Sequence, residues 1–146
     1  MPPEILTEIV ILGAGTAGMY ALREVRSAGR RFVMIDPGTL GTTCALVGCM
    51  PSKVALHAGA EWATRKALAD LGAQGVQGLS IDLSVTWAKL REQRDFFSNN
   101  AASKARAGAK ERLLEGKARF LEPTLLEVET PDGVKRIRAE AVVIAT

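Results

Sequence analysis

Glu8-Ile9-Val10-Ile11-Leu12-Gly13-Ala14-Gly15-Thr16-Ala17-Gly18 runs from a block of branched aliphatic residues straight into three spaced glycines. A short apolar run of this kind reads as a strand buried on both faces, here residues 8–12. The glycines fit G-x-G-x-x-G and lie between that strand and residues 16–28, whose composition favours helix and which Gly29 suits as a left-handed cap. In such a turn the first glycine permits a tight bend. The second lets a pyrophosphate approach the backbone, the third lets helix and strand pack closely, and the helix N-terminus offers N–H groups and partial positive charge. Residues 31–35 form a second apolar strand, stopped by Asp36-Pro37-Gly38. A strand–helix–strand unit of about 30 residues makes a right-handed parallel crossover. Asp36 at the end of the second strand suits a carboxylate that accepts hydrogen bonds from an adenosine ribose. A ribose 2′-phosphate would be repelled there, and no Arg immediately follows. The same glycines would also serve a plain strand-to-helix turn, and the pattern does not separate NAD from FAD.

Outward from this unit, residues 38–48 read as a Gly- and Thr-rich loop carrying Cys44, and Pro51 suits the first turn of a helix over 51–71. Gly72, Gly75 and Gly78 mark a flexible connection. Ser84 is the expected cap of a third helical region that continues towards Glu115, interrupted near residues 98–100 or Gly108. Short strands follow at 118–121, 125–128, 135–138 and 141–145, with a turn at Pro131-Asp132-Gly133.

Composition narrows the classes. The chain has 146 residues, 47% apolar and 24% charged, enough for the core of one domain. A formal charge of +3 is too small for a protein that neutralises a phosphate backbone, so no nucleic-acid partner is expected. No apolar run approaches the roughly 20 residues that cross a bilayer. The apolar stretch after Glu4 and Glu8 has no basic residue before it, unlike a secretory signal, so a cytoplasmic protein without a membrane partner is expected.

Cys44 and Cys49 are followed by Met50-Pro51-Ser52-Lys53. On a regular helix they would lie roughly 7.5 Å apart along the axis and about 140° apart around it, too far to bridge. A disulfide therefore needs a loop or a distorted first turn, for which Gly48 supplies the freedom. A thiol near a helix N-terminus with Lys53 close by has its thiolate favoured, and the thiolate is the reactive form in disulfide exchange. Other readings of the pair are a zinc site, for which His57 is the sole histidine and about four ligands are needed; a structural disulfide; and two inert thiols. No metal site is expected.

The segment Gly41-Thr42-Thr43-Cys44-Ala45-Leu46-Val47-Gly48-Cys49-Met50-Pro51-Ser52-Lys53 resembles the signature G-G-T-C-x-N-x-G-C-x-P-S-K of the class I pyridine nucleotide–disulfide oxidoreductases, and within them is most similar to dihydrolipoyl dehydrogenases. The resemblance extends over the whole chain, through the glycine fingerprint, Asp36, a Gly-x-Ala-x-Phe stretch at Gly116, Ala118 and Phe120, and Val142-Val143-Ile144-Ala145-Thr146. It implies an α/β, Rossmann-like FAD-binding domain at 1–146, with a parallel sheet, flanking helices and a small antiparallel meander. This would be the N-terminal fragment of a larger chain, the NAD-binding and dimerisation domains lying beyond it.

The resemblance also implies roles. Cys44 would be the interchange thiol, and Cys49 the thiol beside the flavin that forms the charge-transfer pair. Lys53 would lie near the reactive edge of the isoalloxazine. Gly13, Gly15 and Gly18, with Thr16 and Ala17, would hold the FAD pyrophosphate, and Asp36 with Pro37 the ribose. Thr42 and Thr43 would lie along the cofactor, Gly116 and Ala118 on its adenine side, and Thr146 at its middle. The implied reaction passes two electrons from a dihydrolipoyl group, on a lipoyl-bearing protein or a small dithiol, through the Cys44–Cys49 disulfide to FAD and then NAD+, in a homodimer whose partner subunit supplies the base. Alternatives are a relative that reduces another disulfide or mercuric ion with NAD(P)H, and a non-catalytic nucleotide-binding or redox-sensing module. The isolated fragment is expected to be inactive.

Two positions depart from the signature: Thr42 stands where the family has its second glycine and Leu46 where it has asparagine. His57 is expected on a helix surface or in packing. The basic run Lys104, Arg106, Lys110, Arg112, Lys117 and Arg119, broken by Glu111 and Glu115, reads as a solvated helix face. Trp62, Trp87, Phe96 and Phe97 are expected in core or inter-domain packing.

Overall fold

Ile9–Leu12, apolar at every position, is buried where it crosses the middle of a parallel sheet, as expected of a strand with no solvent face. A computed structural model describes residues 4–146. In chain order the elements are β1 (Glu4–Leu6), β2 (Ile9–Leu12), α1 (Thr16–Ser27), β3 (Phe32–Asp36), α2 (Thr43–Leu46), α3 (Cys49–Asp70), a 3-10 turn (Val76–Gly78), α4 (Leu83–Ala109), a second 3-10 turn (Lys110–Arg112), β4 (Leu113–Glu115), β5 (Lys117–Glu122), β6 (Leu125–Thr130), β7 (Gly133–Arg138) and β8 (Ala141–Ile144). They form two units, residues 43–98 and the remainder.

The larger unit has three layers. Its central sheet has the order β4-β3-β2-β8, all parallel. One face packs Ile11 and Met34 against Leu22 and Val25 of α1 and Ala102, Ala105 and Ala109 of α4. The other packs Val10, Leu12, Val33 and Ile35 against Leu126, Val128 and Ile137 of a second sheet. Each fully buried aliphatic side chain of this size contributes about 1.5–3 kcal/mol. The second sheet has the order β1-β7-β6-β5: an antiparallel β5-β6-β7 meander with β1 added in parallel to β7.

The strand, helix and meander expectations hold to within a residue or two at most ends, and Gly29 caps α1 with φ 66°. The stretch 38–48, read as a loop, holds the single helical turn α2, and three further local readings are corrected. First, β1 was not expected; three residues carry no periodicity, and pairing with the β7 edge makes them a strand. Second, the cap of α4 is Asp82, not Ser84: its Oδ1 accepts the N–H of Ser84 at 2.8 Å and of Val85 at 3.2 Å. Third, α4 runs unbroken through residues 98–100 and Gly108 and stops at Ala109, before Lys110 at φ 52°. Residues 113–115 then extend as β4 because the open edge of β3 offers their backbone a ladder, Met34 opposite Leu113 and Ile35 opposite Leu114.

In the smaller unit, α3 carries no buried residue. Trp87 and Phe96, expected in packing, are 54% and 61% exposed. Phe97 meets Phe96 edge-on at 5.5 Å, and the Arg65 guanidinium lies 4.0 Å from the Trp62 ring. His57 is exposed, its Nδ1 4.0 Å from Glu61 one turn on, as a surface role requires. Among the described residues no helix is long and apolar enough to cross a membrane.

Candidate active site

The glycine loop emerges at the C-terminal end of β2, where three chain segments converge. The Gly13 N–H continues the sheet ladder to the Ile35 carbonyl at 2.7 Å, and the Ala145 N–H reaches the Leu12 carbonyl at 2.8 Å. Gly13 has φ 98°, and a Cβ there would sit 2.4 Å from the Ala145 carbonyl oxygen and 3.2 Å from the Thr146 nitrogen. A Cβ on Gly18 would sit 1.9 Å from the Gly13 carbonyl oxygen. These two glycines are therefore required by the fold itself, through close backbone approach.

Gly15 differs. A Cβ there would meet nothing within 4 Å, and its φ of −72° is open to any residue. It begins α1 with no side-chain cap, and Thr16 and Ala17 beside it are exposed, so the unpaired amides of the first turn face solvent. Nothing among the described residues needs a glycine at that point, whereas a phosphate close to the backbone does.

Asp36 is held rather than free to swing. Its Oδ2 accepts the Ala14 N–H at 2.8 Å and its Oδ1 the Gly38 N–H at 3.1 Å, the latter an Asx turn over Pro37. A carboxylate has about four lone-pair sites, so two remain for a diol. Ala14 contributes through its backbone N–H, which leaves no side-chain signal in the sequence; the Asp-Pro-Gly order does signal the Gly38 contact. Gly116 donates its N–H to the Asp36 carbonyl at 2.7 Å, and a Cβ on it would lie 2.4 Å from the Glu129 carbonyl oxygen, so packing alone demands this glycine. Ala118 pairs with Val128 within the meander, and Thr146 lies at the exposed end beyond β8. Thr16 and Thr42 line one open cavity of about 550 Å³ with Met19 and Tyr20.

Thr42 has φ 63°, a left-handed conformation that costs a β-branched residue about 1–2 kcal/mol. It occupies the signature position where the related pattern has glycine, and Gly41 before it has φ 138°.

In the smaller unit both cysteines lie where a short helix passes into a long one. Cys44 is in the single turn of α2, half-buried, and Cys49 is the exposed first residue of α3. Gly48 joins them with φ −123° and ψ −112°, and a Cβ on it would come 3.3 Å from the Thr43 carbonyl and 3.6 Å from the Cys44 Cα. The distorted first turn that a bridging pair needs is thus present. Pro51 sits in the first turn of α3, with the Ser52 Oγ donating to the Cys49 carbonyl at 3.1 Å.

The two sulfurs are unbonded thiols in contact. The Cys44 thiol is raised above its ordinary range. Its hydrogen bond to the Cys49 side chain is the largest cause, followed by burial and the negative charge of a Cys49 thiolate. The Cys49 backbone N–H and the Lys53 ammonium act in the opposite sense and are outweighed. The sequence reading found the Lys53 effect and missed the stronger one, the neighbouring sulfur. Cys49→Ala removes the raising partner and keeps the lowering ones. Site-resolved alkylation of Cys44 in the reduced protein should therefore move to lower pH in that variant; an unchanged or upward-shifted profile contradicts this account.

A glycine turn at the end of a parallel-sheet strand and two neighbouring thiols at a helix start are the two features to set beside known proteins. The chain belongs to the pyridine nucleotide-disulphide oxidoreductase family, whose profile matches residues 7–146. It is 32% identical over 145 residues to the dihydrolipoyl dehydrogenase of Pseudomonas aeruginosa, covering 95% of this chain and 30% of that protein. It is 26% identical to the dihydrolipoyl dehydrogenase of Staphylococcus aureus, with 97% and 30% covered. Among solved structures it resembles the HOCl-induced flavoprotein disulfide reductase RclA of Escherichia coli in its Cu(II) complex. There the TM-score is 0.68 at 22% identity, over 96% of this chain and 28% of that one, a likeness of fold. The chain thus spans about 30% of the length of the curated relatives it matches.

Proposed function

We propose that this chain is the FAD-binding, dithiol-bearing part of a flavoprotein that oxidises dihydrolipoyl groups, on a lipoyl-bearing protein or as a small dithiol, with NAD+. The observation that carries the reading is the contact of the Cys44 and Cys49 thiols across the Gly48 turn, beside Lys53. The vacant approach over Gly15 and the fixed Asp36 carboxylate suit FAD, with Gly15, Thr16 and Ala17 at its pyrophosphate and Asp36 at its ribose.

Starting from the Cys44–Cys49 disulfide, a substrate thiolate attacks the Cys44 Sγ. The S–S bond breaks, and Cys49 leaves as thiolate. The substrate's second thiolate then attacks its own sulfur in the mixed disulfide and releases Cys44 as thiolate. The substrate becomes a cyclic disulfide, having lost two electrons and two protons, and the cysteine pair holds the two electrons. The Cys44 thiol, which donates to the Cys49 sulfur, then stays within reach of the sulfur it must rejoin when the disulfide re-forms. FAD, when bound, supplies the acceptor through which the electrons reach NAD+. The base, the NAD site and the homodimer belong to the proposal for the whole protein.

Reductive titration of the full-length flavoprotein tests this reading. The first two electrons should produce two new alkylatable thiols, mapped to Cys44 and Cys49, before the flavin absorbance bleaches. Bleaching without those thiols would leave the pair outside the reaction and support a nucleotide-binding module instead.

A further inference from the structure

The basic run between Lys104 and Arg119, read in the sequence as one solvated face, is divided by the fold. Arg106 pairs with Glu115 at 3.2 Å, and Arg119 pairs with Glu127, so that part is neutralised. Lys104, Lys110 and Arg112 instead line, together with Arg26 of α1, the crossing where α4 packs on α1 at Gly108. A Cβ on Gly108 would lie 3.0 Å from the Leu22 Cδ2 and 3.9 Å from the Arg26 Nη1. Two adjoining open cavities, of about 290 and 460 Å³, run along this crossing and share Arg26 and Gly108 in their walls.

Charge in this groove is lopsided. Among the described residues Arg26, Lys104 and Lys110 have no carboxylate partner, and Arg112 lies over the Phe32 ring at 5.1 Å. Glu111 is the single carboxylate in the lining. Helix C-termini favour a cation in their last turn, which accounts for Arg26 on α1 and Arg106 on α4, but not for the others. Lys110 adds a separate observation: it holds φ 52°, at a helix end where glycine is the residue of least strain. A strained backbone under an unpaired cation at the mouth of a groove points to a use for that side chain.

We propose that the α1–α4 groove binds an acidic segment of a partner protein in extended conformation, its carboxylates spaced along Lys110, Arg26 and Lys104. The shape favours this occupant, because two open, joined cavities suit a chain rather than an enclosed small anion. The chemistry does also. Phe32, the aromatic residue in the walls of these two cavities, is buried beneath the Arg112 guanidinium, so those walls offer no aromatic face for a nucleic-acid base to stack on.

The test is fluorescence anisotropy on the full-length protein with a labelled octapeptide alternating Glu and Ser, and its Gln counterpart. The Glu peptide should bind, weakening at least about fivefold from 50 to 300 mM salt, and the Gln peptide should not. The Lys104→Glu, Lys110→Glu pair should weaken binding at least about tenfold, while a charge-matched pair outside the groove, Lys117→Glu with Lys135→Glu, should leave it within about twofold. Lys110→Gly separates structure from recognition: it should raise Tm by about 2–4 °C while weakening the peptide about threefold. No binding of the Glu peptide, equal loss in both charge-reversed pairs, or tighter binding of a single-stranded oligonucleotide that displaces the peptide would each overturn the proposal.

Discussion

A full-length protein carrying Cys44→Ser is expected to oxidise a dihydrolipoyl substrate at least about 10³-fold more slowly than the parent while retaining its flavin, because the hydroxyl cannot form the mixed disulfide. The loss falls on chemistry rather than binding, so kcat should drop with the affinity for NAD+ unchanged. Cys49→Ser should be comparably slow in turnover yet still trap substrate: with Cys44 intact, an activated asymmetric disulfide probe forms a stable adduct that no second thiol resolves. The structure places the two sulfurs in contact, so removal of either leaves the other without its exchange partner. Residual turnover within tenfold of the parent in Cys44→Ser would move the dithiol out of the reaction.

The second large effect separates two glycines of one motif. Gly18→Ala puts a methyl 1.9 Å from the Gly13 carbonyl oxygen, inside the packing of α1 on β2. Both atoms belong to backbone in the core, so no side chain can yield. A loss of at least about 3 kcal/mol follows, seen as a Tm fall of more than about 10 °C. Gly15→Ala meets nothing and has an ordinary φ, so the flavin-free protein should keep its Tm. Its flavin occupancy should fall at least about tenfold, since the added methyl stands where a phosphate must approach. Thermal unfolding with flavin content per chain measures both. A Gly15→Ala protein that retains full flavin would remove the argument for a pyrophosphate at this turn.

These contrasts show why the glycine pattern was informative and incomplete. Residues 8–18 announce strand, turn and helix because their order is local: a β-branched run, three glycines and a helical composition follow within one stretch of chain. Which glycine serves the fold and which serves a ligand depends on what lies across the gap. For Gly13 this is Ala145, distant in sequence. Asp36 was legible as an acidic strand end, but its clamp by the Ala14 N–H was not, since any residue has that N–H. The helical reading of 113–115 failed for a related reason: Leu-Leu-Glu favours helix by itself, and the exposed ladder of β3 overrides that preference.

The cysteine site divides in the same way. Cys44, Cys49, Gly48, Pro51 and Lys53 could be named from the sequence, as chemistry depends on residue type and close spacing. The direction in which the Cys44 thiol shifts could not, because Lys53 and the second sulfur oppose one another and their separations in space decide the sign. The family, the parallel strand–helix–strand core and the close spacing of the two cysteines were legible in residue order, because each rests on motifs contiguous in the chain. The attachment of β1, the extension of β4, the steric surroundings of the individual glycines and the placing of Arg26 with Lys104 and Lys110 along one groove came from the three-dimensional fold. These rest on contacts between distant segments, whose energies depend on distance and burial rather than on order along the chain.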